Sequence, residues 1–114
     1  MKLSVVVPAF NEERLLAGSL AAIRAALRAF DQAGWTCELI VCDNNSTDGT
    51  AGIARAAGAR VVFEPVNQIA RARNAGAAQA SGEWLLFVDA DSYPSFELFK
   101  DVLDAMQGDR KSVV

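Results

Sequence analysis

Four short apolar runs recur along the chain, and amphipathic stretches separate them. The runs are rich in β-branched and aromatic residues and hardly alternate between apolar and polar positions, which is typical of strands buried on both faces of a parallel sheet. They comprise residues 3–9, 38–43, 60–65 and 83–89. The pattern therefore predicts four strands, each covered on both sides.

The first amphipathic stretch predicts a helix with one apolar stripe. Its apolar positions recur at spacings of four and three, and they are Leu16, Leu20, Ile23, Leu27 and Phe30. Asn11 is the predicted N-cap, and Glu12 and Glu13 would favour the positive end of the helix dipole. Gly34 would end the helix.

Three more helices are predicted between and after the remaining strands, over about 48–57, 68–80 and 95–106. The resulting order β-α-β-α-β-α-β-α indicates an α/β fold, with an open, mostly parallel sheet of about four strands, right-handed crossovers and helices on both faces. Ser112 to Val114 could begin a fifth strand. We expect residues 1–114 to form one domain.

Composition narrows the class of function. The net charge is −3 without a basic block, which argues against a nucleic-acid binder. Histidine is absent from the sequence, so carboxylates are the available acid–base groups. Cys42 lies in an apolar run and is expected to be a buried, reduced thiol. No signal peptide and no apolar run of about 20 residues is visible, so a cytoplasmic location is expected.

Polar residues follow each predicted strand, as "PAFNEE", "DNNSTDGT", "EPVNQIARARNAG" and "DADS". In open parallel sheets, ligands bind outside the carboxyl ends of the strands. In an extended segment, Asp89 and Asp91 would face the same way and could share a divalent cation, Mg²⁺ or Mn²⁺. Two solvated acids in a turn are the alternative.

The other two polar stretches also allow two interpretations. "DNNSTDGT" is either a loop that caps the second helix or a site where Asp43 and Asn44 bond a base or ribose. Arg71 and Arg73 lie in the early turns of a helix, where the dipole disfavours cations. They are either solvated or turned toward a phosphate.

Four motifs in this order, "VVVPAFNEE", "VCDNNSTDGT", "ARARNAGAAQASGEWLLFVDAD" and the DxD within it, resemble the nucleotide-binding half of a family 2 glycosyltransferase with the GT-A fold. The resemblance runs over nearly all 114 residues. It implies transfer of a sugar from a nucleotide-diphosphate donor, with UDP-sugars favoured and GDP-sugars open. It also implies a divalent cation, Mn²⁺ or Mg²⁺.

The resemblance assigns a donor-site role to a set of residues at the strand ends. Asp91 would bind the metal that bridges to the diphosphate, and Asp89 would lie near the ribose and the metal. Asp43 and Asn44 would contact the base. Arg73 would lie near the base and diphosphate, with Arg71 the weaker candidate. The full set implied to bind the nucleotide sugar is Pro8, Ala9, Asn11, Glu12, Asp43, Asn44, Arg71, Arg73, Asp89, Ala90 and Asp91.

Two departures from the family pattern matter. Many relatives have Asp where this chain has Asn44, and an amide donates hydrogen bonds as well as accepting them. The family also places its acceptor site and general base in a second half, which would follow Val114. We therefore expect this chain alone to have little transferase activity, whereas a longer parent would transfer with inversion.

The resemblance does not identify the acceptor, which could be lipid-linked, a saccharide or a small molecule. It also leaves open a peripheral contact with the inner face of a membrane. A non-catalytic nucleotide-binding module is the main alternative. A haloacid dehalogenase-like phosphatase is remote, because its DxD follows the first strand. A dinucleotide-binding domain is disfavoured because G-x-G-x-x-G does not follow the first strand.

Overall fold

The computed structural model describes residues 1–108 and has a four-stranded parallel sheet at its centre. The strand order is β3-β2-β1-β4. The strands are β1 (Lys2–Ala9), β2 (Thr36–Asp43), β3 (Arg60–Phe63) and β4 (Trp84–Phe87). The helices are α1 (Leu16–Ala26), α2 (Arg28–Gln32), α3 (Thr50–Ala56), α4 (Ile69–Ala78) and α5 (Phe96–Gly108). The predicted α/β class and parallel sheet are confirmed.

Helices cover both faces of the sheet, but unequally. Leu3, Val5 and Val7 of β1 point into the main core, which the apolar sides of α1, α2, α3 and α5 complete. Phe30 packs there edge-on against Phe99, with ring centroids 6.2 Å apart. Of the helices within residues 1–108, α4 packs on the opposite face, across β1, β2 and β3. It lies nearer to β1 and β2 than to β4.

The strands at the sheet edges are therefore not buried on both faces, and that prediction was wrong for β3 and β4. Leu85 and Phe87 of β4 pair in register with Ser4 and Val6 of β1, which places them on the α4 side. Their exposed fractions are 37% and 41%, because α4 packs mainly over β1 and β2 and approaches Phe87 with the Arg73 side chain. Phe63 of β3 is likewise exposed.

The first helix differs from its prediction in two ways. It breaks at Leu27 into α1 and α2, because a ψ of −13° at that residue tightens the turn. The predicted N-cap at Asn11 was wrong: α1 begins at Leu16, and within residues 1–108 no side chain caps it. Glu12 and Glu13 lie before α1, and its first turn contains no acidic residue.

Several smaller predictions concern single residues. Gly34 follows the end of α2, as predicted, with a φ of 83°. Cys42 is buried and reduced, and burial raises the pKa of its thiol to about 11. Within the described part of the chain, no helix is long and apolar enough to cross a membrane. The predicted fifth strand from Ser112 lies outside the described residues.

Candidate functional site

The carboxyl ends of β1, β2 and β4 meet at one edge of the sheet. Ala9 ends β1 in register with Asp43 at the end of β2, and the Asn44 N–H donates to the Ala9 carbonyl at 2.8 Å. The chain order reverses between β1 and β4, which is where open α/β sheets leave a crevice. A cavity of about 370 Å³ opens here, lined by Pro8, Ala9, Phe10, Glu12, Asn44, Ile69, Asp89, Ala90 and Asp91.

Hydrogen bonds to the β2–α3 loop fix the loop after β1. Asn11 has a φ of 51°, and its side-chain oxygen accepts the Thr47 N–H at 2.8 Å. The Asn11 N–H donates to Ser46 Oγ at 2.9 Å, and the Glu12 N–H donates to Thr50 Oγ1 at 3.0 Å. Asn11 does not line the cavity itself; it joins two loops between the lining residues Phe10 and Glu12 instead of capping α1.

Asp43 and Asn44 are both buried, and their side chains organise backbone. Asp43 Oδ1 accepts the Ser46 N–H at 3.0 Å. The Asn44 amide nitrogen donates to the carbonyls of Val66 and Glu64, at 2.6 and 3.2 Å. Asn44 therefore ties the β3–α4 loop to β2 while it also lines the cavity.

Asp89 and Asp91 lie in a turn, so the predicted extended arrangement was wrong. β4 ends at Phe87, and the Ser92 N–H donates to the Asp89 carbonyl at 3.0 Å. Ala90 between the two acids is buried in the main core, which keeps the turn against the sheet. Both acids nevertheless line the same cavity.

The cavity is acidic. Burial raises the pKa of Glu12 above its usual value, and the carboxylates of Asp91 and Asp48 raise it further. Among residues 1–108, no group of three or more potential ligands is arranged to hold a metal ion by itself. Mg²⁺ and Mn²⁺ commonly take one or two protein carboxylates and complete their shell with water and phosphate oxygens. The carboxylates of Asp89 and Asp91 fit that mode of binding.

The two arginines predicted for the site lie in different surroundings. Arg73 Nη2 lies 4.0 Å from Asp89 Oδ1, and its guanidinium lies 5.9 Å from the ring centroid of Phe87. Arg71 Nε instead donates to Gln68 Oε1 at 3.2 Å and does not line the cavity. The structure therefore brings Arg73, but not Arg71, next to a cavity-lining acid.

Sequence reasoning missed two residues that line the cavity. Phe10 follows β1 and is 49% exposed, and Ile69 begins α4 and is 56% exposed. Phe10 lies inside the "PAFNEE" stretch, so its place at a strand end was an available signal. Ile69 lies at a helix start, where the sequence pattern gives no indication of a cavity.

The sequence profile described as glycosyl transferase family 2 matches residues 4–114, and the chain belongs to this family. An uncharacterized glycosyltransferase of Mycobacterium tuberculosis is 42% identical over 88 residues, which cover 77% of this chain and 36% of that protein. The chain covers between 18% and 36% of the length of curated relatives such as TarS and the mycobacterial protein.

The fold is shared with solved structures of glycosyltransferases, and two of them are informative. Staphylococcus aureus TarS 1–349 in complex with UDP-GlcNAc has a TM-score of 0.77 and 32% identity, over 96% of this chain and 32% of that one. Glucosyl-3-phosphoglycerate synthase from M. tuberculosis, in complex with Mn²⁺, UDP and glucosyl-3-phosphoglycerate, has a TM-score of 0.74 and 31% identity. That match covers 92% of this chain and 39% of the synthase.

Proposed function

We propose that this chain is the donor-binding part of a glycosyltransferase and binds a nucleoside-diphosphate sugar, UDP-sugars foremost, together with Mn²⁺ or Mg²⁺. One observation carries the proposal: Asp89 and Asp91 line one cavity with Glu12 and the end of β1, at the carboxyl edge of the sheet. Family membership supports it, as do the UDP-GlcNAc held by TarS and the Mn²⁺ and UDP held by the synthase.

The turn of residues 89–92, called the acidic turn below, would bind the diphosphate through the cation. The end of β2 would bind the base. Asp91 and Asp89 would hold the cation, which when bound would act as a Lewis acid on the leaving diphosphate. Arg73 is half-exposed beside Asp89, so its guanidinium can turn and donate charge-assisted hydrogen bonds to phosphate oxygens. Asp43 and Asn44 would contact the base, with Pro8, Ala9, Asn11 and Glu12 along the nucleoside.

The residues of this proposed site bind the donor, and other groups would have to activate the acceptor. Deprotonation of an acceptor hydroxyl requires a general base, which the family resemblance places after residue 114. Transfer with inversion is accordingly proposed for a longer protein that contains these residues. For the chain itself, we propose donor binding.

Calorimetric titration with UDP in the presence of Mn²⁺ tests the role of Asp91. Asp91→Ala should weaken binding about tenfold or more, because it removes a charged ligand of the cation. Asp101→Ala, which removes an exposed carboxylate on α5, should leave the affinity unchanged. Circular dichroism should show the same fold in both variants. Equal affinity in Asp91→Ala and the unsubstituted chain would reject the proposed role.

A further inference from the structure

Ser19 is a fully buried residue of α1 whose hydroxyl bonds outside its own helix. Its Oγ donates to the Ser92 carbonyl at 2.6 Å, just after the acidic turn. A helical serine can instead bond the carbonyl four residues earlier, which here belongs to Leu15. That carbonyl already accepts the Ser19 N–H at 3.0 Å and the Tyr93 hydroxyl at 3.0 Å. Two consecutive residues after the acids are therefore bonded to one turn of α1.

The Tyr93 ring lies directly against the backbone of α1 at Gly18. A Cβ atom at Gly18 would lie 2.8 Å from both a ring carbon and the hydroxyl oxygen of Tyr93. Only a residue without a side chain lets the ring approach this closely. Gly18, Ser19 and Tyr93 are called the α1 anchor below.

The same end of α1 also holds the opposite wall of the cavity. The N–H groups of Leu15 and Leu16 donate to the Glu12 carbonyl, at 3.1 and 2.9 Å. Glu12 and Asp91 both line the cavity, and both are connected to α1 within a few residues. The first turns of α1 thus determine the relative position of the Glu12 loop and the acidic turn.

We infer that the α1 anchor positions Asp91 and Asp89 for the cation and diphosphate, and that Ser19 and Tyr93 are positioning residues of the donor site. This inference rests on the proposed function. Neither side chain lines the 370 Å³ cavity that holds both acids, so they would act through the backbone of the acidic turn. Loss of either hydrogen bond would let the turn move, and two carboxylates that must meet one ion would then lose their shared orientation.

The first test measures how much Mn²⁺ increases the affinity for UDP. Ser19→Ala and Tyr93→Phe each remove one hydroxyl, and each should reduce this increase by about three- to tenfold. Ser4→Ala is the matched control, because Ser4 is equally buried and donates to Glu38 Oε2 at 2.5 Å at the far end of β1. It should lower thermal stability but keep the full effect of Mn²⁺.

A second test does not depend on any ligand. Hydrogen exchange of the Ser92 N–H, which bonds to Asp89, should become faster in Ser19→Ala and Tyr93→Phe than in Ser4→Ala. If exchange and the Mn²⁺ effect both match the control, the inference is wrong. Faster exchange in a protein that does not bind UDP would overturn the proposed function and confine the anchor to a structural role.

Discussion

Glu38 is a single residue whose charge joins three segments at the end of the sheet opposite the candidate site. Its Oε2 accepts hydrogen bonds from Ser4 Oγ at 2.5 Å and from the Ser81 N–H at 2.7 Å, and Lys2 Nζ lies 4.0 Å from Oε1. Burial acts to raise the pKa of Glu38, but the hydrogen bonds and Lys2 outweigh it and hold the pKa below the ordinary 4.5.

Replacing Glu38 should therefore have an effect that depends on pH. A carboxyl group with a lowered folded-state pKa stabilises the fold above its unfolded-state pKa, and this stability is lost as pH falls through the folded-state value. Glu38→Gln should lower the free energy of unfolding by about 1–2 kcal/mol at neutral pH. The difference should shrink as pH falls below 4.5.

Urea denaturation of both proteins across this range measures the effect. Asp101→Asn changes an exposed carboxylate on α5 and serves as the control. It should leave the free energy of unfolding nearly unchanged across this pH range. A Glu38→Gln difference that stays constant down to about pH 3 would show that the charge of Glu38 is not what stabilises the sheet end.

At the scale of elements, the contact between α4 and β1 depends on the absence of a side chain at Gly76. A Cβ atom there would overlap Cγ1 of Val6, which is fully buried in the central strand. Gly76→Ala should lower the free energy of unfolding by about 1–3 kcal/mol, because the helix must move off the sheet. Thermal or urea unfolding measures this loss.

Gly52→Ala provides the matched control for this packing. Gly52 lies in α3, and a Cβ atom there would have no neighbour within 4 Å. The substitution should raise the free energy of unfolding by about 0.5–1 kcal/mol, since alanine favours helix more than glycine does. Two substitutions of the same kind would then have opposite signs. Equal effects would contradict the close approach of α4 to β1.

Helices and strands were predictable from sequence where the apolar positions are also the buried ones. The unbroken apolar run of β1 and the stripe from Leu16 to Phe30 both identified their elements. The N-cap was missed because the side-chain oxygen of Asn11 bonds Thr47, a partner 36 positions away that local spacing does not reveal. Strands β3 and β4 look fully buried in sequence, but their place at the sheet edges leaves apolar residues such as Phe87 exposed.

The sequence predicts which residues lie at the candidate site better than it predicts how their side chains are oriented. Parallel topology alone brings the ends of β1, β2 and β4 to one edge, so Glu12, Asn44, Asp89 and Asp91 were expected to lie together. The turn that orients the two aspartates depends on Ser19, far away in sequence, and the sequence pattern does not show that bond.

At the scale of the whole molecule, β4 forms one edge of the sheet within residues 1–108. A second cavity, of about 480 Å³, lies along this edge between β4 and α5, and its lining includes Phe87, Tyr93 and Leu98. It adjoins the candidate site, since Asp89 lines both cavities. The candidate site thus spans the ends of β2, β1 and β4, and the second cavity extends from it toward the β4 edge of the described sheet.

The resemblance to family 2 glycosyltransferases, which places the general base after residue 114, predicts that donor binding and sugar transfer separate in this chain. It should bind UDP with Mn²⁺, yet transfer sugar about 10²–10⁴-fold more slowly than a longer natural protein containing these residues, because that range is what a general base contributes. Both proteins should be assayed with the same UDP-sugar and acceptor, with UDP affinity measured on the same samples. Matching affinities with unequal rates would assign the acceptor chemistry to residues after 114. Equal rates would contradict this division and place the base among the cavity carboxylates, with Glu12 the first to replace by glutamine.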